Sequence, residues 1–205
     1  EAEIDPRDAV AGVNLANALR SLGRIEEAEA AADRVLVVYP QNFDALLEAA
    51  RARLAQGDGF YAIDLAKRAR QIAPKDWRPM TLLAVAYEQS ARDDEALAAH
   101  RAAVAMAPNE AAPLANLAMF QAGLGDLATA ETLLRQAVTL KDAGAPIRLN
   151  LALVLGLNGK LGEASVLARQ DLPPEQAANN IAWLREAVAK PAAGRSYEDV
   201  TKAGS

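Results

Sequence analysis

A period of 34 residues runs through this chain and restricts its fold more than any other feature. One column of the period holds Ala28, Ala62, Ala96, Ala130 and Ala164. Another holds Ala16, Ala50, Ala84, Ala118 and Ala152. A repeat of this length is one supersecondary unit, which buries its apolar surface only by stacking on its neighbours. We therefore expect an array of repeats rather than a domain around one central core.

The stretch 111–142 shows the pattern inside one repeat most clearly. Leu114, Leu117 and Ala118 are spaced as on one side of a helix, and a second stripe of the same kind begins at Leu127. The turn between the stripes carries glycine in four repeats, with Ala91 as the exception, and the closing proline is present in three. The turn glycines are Gly23, Gly57, Gly125 and Gly159, and the prolines are Pro40, Pro74 and Pro108. Each repeat is therefore expected to be a helical hairpin.

These columns divide the chain into repeats and two ends. The repeats span 9–42, 43–76, 77–110, 111–144 and 145–171. Pro6 precedes Pro40 by one period, so residues 1–8 are expected to end a truncated preceding repeat, and the start at Glu1 indicates a processed or trimmed fragment. Residues 172–190 are expected to form a capping helix that packs through Ala178, Ile181, Trp183, Leu184 and Val188. Residues 191–205 lack the period and are expected to be a flexible tail.

The pattern resembles the tetratricopeptide repeat in its period and in its alanine, glycine and proline positions. The resemblance covers residues 9 to about 171. It implies an all-α fold, an α-solenoid of helical hairpins in a right-handed superhelix, with a C-terminal capping helix. It also implies that the first helices of the repeats line a concave groove in which a partner lies.

The composition disfavours catalysis and nucleic-acid binding. The chain carries a formal charge of -5, no cysteine and one histidine, His100. The column of His100 holds alanine or leucine in the other repeats, so this residue is expected to be a packing residue. The carboxylate pairs stand at helix starts, where the helix dipole favours them. We therefore expect no enzyme activity, no cofactor and no metal site, and no apolar stretch is long enough to span a membrane.

Positions 2, 5, 9 and 12 of each first helix share one face, counted from residues 9, 43, 77, 111 and 145. This face changes from polar in the first three repeats to apolar in the last two. An amphipathic helix or extended segment that carries acidic groups near Arg51 and Arg78 is the expected ligand. An open alternative is that the capping helix covers the apolar part itself. Together with the asparagines of position 6, the predicted partner-binding residues are Leu47, Arg51, Leu54, Arg78, Val85, Asn116, Met119, Leu149, Asn150 and Leu153.

The C-terminal stretch 149–189 has a narrower likeness. Its last turn, the break at 171–174 and the asparagine-rich helix with Trp183, Leu184 and Arg185 resemble the TadD proteins of tight-adherence (Flp/Tad) type IV pilus systems. The resemblance implies a pilotin, a lipoprotein at the periplasmic face of the outer membrane that binds the secretin subunit and assists its assembly. The lipid-attachment cysteine of that family is absent from this sequence. The alternative is a general adaptor or regulatory module that binds a cytoplasmic partner peptide.

Overall fold

The structure, a computed structural model, describes residues 6–189, and these residues form α-helices and turns without any strand. The helices follow the hairpin pattern that the sequence predicts. Their bounds are α1 Pro6–Ser21, α2 Ile25–Val38, α3 Phe43–Ala55, α4 Gly59–Ile72, α5 Arg78–Gln89, α6 Asp93–Met106, α7 Ala111–Gly123, α8 Leu127–Ala137, α9 Ala145–Leu157, α10 Leu161–Asp171 and α11 Pro174–Ala189.

The turn inside each hairpin has left-handed backbone geometry. The four turn glycines have φ angles between 74° and 87°. Ala91 has to adopt the same geometry, with φ of 54°, although it carries a Cβ. Glycine reaches this region without steric cost, and alanine does not. The turn column thus reflects a backbone requirement of the hairpin.

The helices form two compact bodies, and the division between them lies between Met106 and Ala107. In the N-terminal body, consecutive helices from α1 to α6 pack on one another, and the first helices α1, α3 and α5 also contact each other in order. In the C-terminal body, α7 to α11 pack in the same way, with α7 against α9. The periodic alanines lie at the helix contacts and are at most 4% exposed. Small side chains let the two helices of a hairpin approach closely.

The two ends differ from the sequence expectation in detail. α1 begins at Pro6, so residues 6–8 belong to the first helix of the first repeat in this structure. The assignment of 1–8 to a preceding repeat stays a prediction, and residues 1–5 lie outside the described part of the chain. The predicted capping helix is α11, which begins at Pro174. Leu184 is buried, and Ile181 and Trp183 are half-buried, as predicted for packing residues. Ala178 and Val188 are exposed, so the prediction that they pack is wrong, and Ala177 is buried instead. The predicted flexible tail, 191–205, lies outside the described residues.

The fourth repeat has Asp142 at the column of the closing proline. Both oxygens of the Asp142 carboxylate accept hydrogen bonds from the Ala111 backbone N–H, at 2.9 and 3.1 Å. This bond satisfies an N–H at the start of α7, which has no partner inside the helix. The carboxylate therefore links the end of the repeat to its beginning. Among residues 6–189, no helix has both the length and the apolar character needed to cross a bilayer.

Candidate binding face of the first helices

The first helices of the N-terminal body present one shared face, which we call the first-helix face. It consists of positions 2, 5, 6, 9 and 12 of α1, α3 and α5, which lie side by side. Helical spacing places these positions together on each helix. The face is partly exposed and carries several arginines and carboxylates, so it is the candidate binding surface in this body.

Glu48 is the centre of this face. Its side chain is 4% exposed, and each carboxylate oxygen accepts a hydrogen bond from a different arginine. Arg20 of α1 donates from Nε at 3.0 Å, and Arg51 of α3 donates from Nη1. Both arginine side chains remain about 30% exposed, at 29% and 31%. One buried carboxylate thus fixes two guanidinium groups at the surface, and both keep further N–H donors.

Arg78 is held at the start of α5 by a second acidic group. Its Nε and Nη2 donate to the Asp76 carboxylate at 3.0 and 2.7 Å. The hydrogen bonds from Arg78 hold the pKa of Asp76 below its usual value, and the charge of Arg51 acts in the same direction. The Arg78 guanidinium also lies 5.0 Å from the centre of the Phe43 ring. Arg78 is therefore charged and fixed in position on the same face as Arg51.

The remaining predicted residues of this body differ in accessibility. Val85 and Leu54 are half-buried, and Leu54 packs against the core. Leu47 is only 1% exposed and belongs to that core, so the prediction of a surface position for it is wrong. Thr81 Oγ1 is buried and has no hydrogen-bond partner among the described residues. The exposed residues of the face are Val10, Asn14, Asn17 and Asp44, and its partly exposed residues include Arg20, Arg51, Arg78 and Val85.

The corresponding surface of the C-terminal body is formed by α7 and α9. The residues predicted here are all half-buried and are Asn116, Met119, Leu149, Asn150 and Leu153. Met119 packs against the core of this body. At position 12 of α9, Gly156 lies beneath Leu184 of α11. The capping helix thus covers this end of the surface, and Leu149 and Leu153 keep partial exposure.

Glu48 is a residue of this face that the sequence pattern does not predict. The other repeats carry Asn14, Leu82, Asn116 and Asn150 at its column. A lone carboxylate at this column, three residues before Arg51, was the available signal. Its pairing with Arg20 depends on the packing of α1 against α3.

His100 is a buried residue, as the sequence predicts, with 1% exposure. Its Nε2 is hydrogen-bonded to Oε1 of Glu88. Glu88 lies twelve residues earlier, on the other helix of the hairpin. Among residues 8–189, no group of three or more acidic or histidine side chains is placed to hold a metal ion.

Profiles of the tetratricopeptide repeat match residues 9–59, 80–112 and 111–136. The chain therefore carries tetratricopeptide repeats, and its all-α hairpin array is the solenoid fold of such repeats. A comparison with curated protein sequences gave no match. The matches concern the repeats, and the narrower likeness to TadD stays a prediction.

Several solved structures share this fold. TTC0263, a thermophilic tetratricopeptide repeat protein of Thermus thermophilus, is 26% identical, with a TM-score of 0.73 over 88% of this chain and 97% of that chain. A tetratricopeptide repeat protein of Parabacteroides merdae is 14% identical, with a TM-score of 0.76 over 86% and 71%. Pseudomonas aeruginosa pilF is 16% identical, with a TM-score of 0.66 over 89% and 88%. The last two show a common fold alone.

Proposed function

Because the chain is a solenoid of tetratricopeptide repeats, a protein-interaction scaffold, we propose that it binds a segment of a partner protein on the first-helix face of its N-terminal body. The partner is the secretin subunit of a Tad/Flp pilus system, and the chain acts as its pilotin. The observation that carries the proposal is the buried Glu48 carboxylate shared by Arg20 and Arg51.

A buried carboxylate costs desolvation free energy, and replacing a buried ion group by apolar residues is often neutral or stabilising. An apolar residue at this helix-packing position could therefore stabilise the fold as well as Glu48 does, so stability alone does not explain why a glutamate is present. Its geometric effect is specific, because it holds two guanidinium groups in fixed positions at the surface. Fixed donors lose less entropy on binding a ligand than mobile ones. A partner segment with a carboxylate group fits Arg20 and Arg51, and an apolar residue of the same segment fits Val85.

The identity of the partner rests on the likeness of residues 149–189 to TadD proteins. This likeness supports a site of action at the periplasmic face of the outer membrane, with a lipid anchor in the full-length protein. The C-terminal region of the secretin is the segment that we assign to the first-helix face. The second candidate is an adaptor that binds a cytoplasmic peptide. The arginines of the first-helix face favour an acidic peptide from either source, so they support this candidate equally.

Calorimetry with a synthetic peptide of the secretin C-terminal region tests the proposal. We expect binding that Arg51→Glu and Val85→Asp each weaken by about tenfold or more, since both remove contacts on one face. Arg70→Glu is the matched control, because Arg70 is an exposed arginine of α4 away from this face. Met119→Asp tests the surface of the C-terminal body in the same way.

The outcomes separate the two parts of the proposal. A peptide that does not bind at all overturns the assignment to the secretin. A peptide that binds equally well to the Arg51 and Val85 variants overturns the assignment to the first-helix face. Loss of helical circular dichroism in a variant would mark it as misfolded, and Arg51→Lys then serves as the milder replacement.

A further inference from the structure

Two adjacent aromatic residues stand exposed at the start of α4, on the second-helix side of the N-terminal body. Phe60 is 75% exposed and Tyr61 is 60% exposed. Their ring centres are 5.5 Å apart, and the ring planes meet at 87°, an edge-to-face arrangement. We call these two residues, with Asp33 and Arg53 beside them, the α4 aromatic surface. It is separate from the first-helix face and does not depend on the proposed partner of that face.

The other repeats carry no aromatic residue at these two columns. The column of Phe60 holds Glu26, Asp94, Ala128 and Gly162. The column of Tyr61 holds Glu27, Glu95, Thr129 and Glu163. Polar or small residues are thus compatible with the hairpin at both positions. The aromatic pair is a property of the second repeat and not a requirement of the fold.

The packing of the second repeat does not bury the two rings. The residue before them is Gly59, and a Cβ there would lie 2.7 Å from the backbone oxygen of Ala86. The same column holds Ile25, Leu127 and Leu161 in three other repeats, each half-buried. Because α4 approaches α5 closely at Gly59, the second repeat has no apolar side chain at this column. The exposed rings do not replace it, because they point to solvent.

Around Arg53, which lies beside the Tyr61 ring, carboxylates outnumber cations. Nη2 of Arg53 is 2.5 Å from Oε1 of Glu29, and its Nη1 is 3.8 Å from Oδ2 of Asp58. The charge of Arg53 also acts on Asp33. The Arg53 guanidinium therefore interacts with three carboxylates. Burial and the charge of Glu29 raise the pKa of Asp33, and the attraction of Arg53 offsets this only in part. An added cation would be favoured at Asp33.

Arg92, Asp64 and Lys67 are the other charged groups that line the cavity beside the rings. Arg92 is paired with Glu95, and Asp64 is 3.8 Å from Arg68. Lys67 is exposed and lies near Glu95, whose pKa is lowered mainly by its hydrogen bond with Arg92 and in smaller part by the charge of Lys67. The Tyr61 ring has the Arg53 guanidinium 5.5 Å from its centre. Among the described residues, no cation lies over the Phe60 ring, so that ring face can accept one.

We propose that the α4 aromatic surface binds a basic, partly apolar segment of a partner protein, in which an arginine or lysine side chain stacks on Phe60 and pairs with Asp33. An apolar neighbour of that cation packs against Tyr61. Cations are attracted to the faces of aromatic rings, and the surrounding carboxylates add to this attraction. The segment that binds here is opposite in charge to the one that fits Arg20 and Arg51. The chain therefore has two faces for two kinds of segment.

A blocked peptide of alternating leucine and arginine is the probe, and NMR titration of the intact chain is the measurement. We expect the ring signals of Phe60 and Tyr61 to shift on binding. The double variant Phe60→Ala with Tyr61→Ala removes both rings without adding charge and should weaken binding by about tenfold or more. Asp33→Asn should weaken it as well, because the carboxylate charge is lost.

Three controls make the test decisive. A peptide with glutamate in place of arginine should not bind, and Leu22→Glu, at an exposed leucine of another turn, should leave binding of the arginine peptide unchanged. Arg51→Glu should also leave it unchanged, which separates this result from the test of the first-helix face. Equal binding by the double variant, or no binding by the native chain, overturns the proposal. Self-association that the double variant abolishes would overturn it too, since a second copy would then be the occupant.

Discussion

Gly156 of α9 and Leu184 of α11 lie in such close contact that the packing leaves no room for a side chain at position 156. A Cβ at this position would lie 2.8 Å from Cδ2 and 2.9 Å from Cγ of Leu184. Leu184 is 4% exposed, so its side chain has little space to move away. This contact joins the capping helix to the last hairpin.

Replacing Gly156 with valine should therefore loosen α11. We expect a loss of about 1–3 kcal/mol in the free energy of unfolding, the usual cost of overpacking. Amide hydrogen exchange of α11 should rise more than that of α7. Gly162→Ala is the control, because a Cβ at 162 meets nothing within 4 Å and should stabilise α10 by about 0.5–1 kcal/mol. Unchanged exchange in α11 would show that the contact does not hold the helix.

Ala91→Gly should stabilise the N-terminal body. Ala91 has a φ of 54°, where an L side chain is strained, and its side chain is exposed, so little packing is lost. Relief of the strain outweighs the added freedom of glycine in the unfolded chain, and we expect a gain of about 0.5–1 kcal/mol. Urea unfolding followed by circular dichroism measures it. Ala98→Gly, at an exposed position inside α6, should destabilise by about the same amount.

Glu48→Gln should destabilise the chain by about 1–2 kcal/mol, because two charged arginines lose their shared carboxylate. This loss of stability is smaller than that expected for a fully buried ion pair, because both arginines are partly exposed. Asp44→Asn is the matched control. Asp44 is 63% exposed and 3.8 Å from Arg78, so its loss should cost less than about 0.5 kcal/mol. Urea unfolding measures both losses in the free energy of unfolding. Equal losses for the two substitutions would contradict the role of Glu48 as the shared partner of Arg20 and Arg51.

Stability should depend on Glu131 in a pH-dependent way. Its side chain accepts hydrogen bonds from Lys160 at 2.6 Å, Asn158 at 2.8 Å and Arg135 at 3.0 Å. These bonds, that of Lys160 above all, lower the pKa of Glu131 in the folded chain. Its stabilising effect is complete above the unfolded pKa of about 4.3 and is lost as the pH falls through the lower folded pKa.

Glu131→Gln should therefore be less stable than the native chain at pH 7, and the difference should shrink as the pH is lowered below about 4. Urea unfolding of both proteins across this range gives the difference directly. Glu163→Gln, which removes an exposed partner of Arg135, should change stability little at any pH. A constant difference between Glu131→Gln and the native chain at all pH values would contradict the assigned role of the carboxylate.

The period of 34 residues was sufficient to predict the helical hairpins and the left-handed turns inside them. These features depend on local causes, namely helical spacing of apolar residues, small residues at helix contacts and a left-handed turn. The burial of His100 followed from its column in the same way. The capping helix was predicted from its proline start and its apolar residues, although the contact of Leu184 with Gly156 was not.

The tertiary structure decided which side chains of the first helices reach the surface. Leu47 and Arg51 lie on the same helix face one turn apart, yet Leu47 is buried in the core and Arg51 is at the surface. The pairing of Arg20 with Glu48 required α1 to pack beside α3. A repeat pattern gives the direction of a side chain on its own helix. How much of that side is covered, and by which partner, depends on the neighbouring helices, so only their packing determined the ion pairs and the accessible surface.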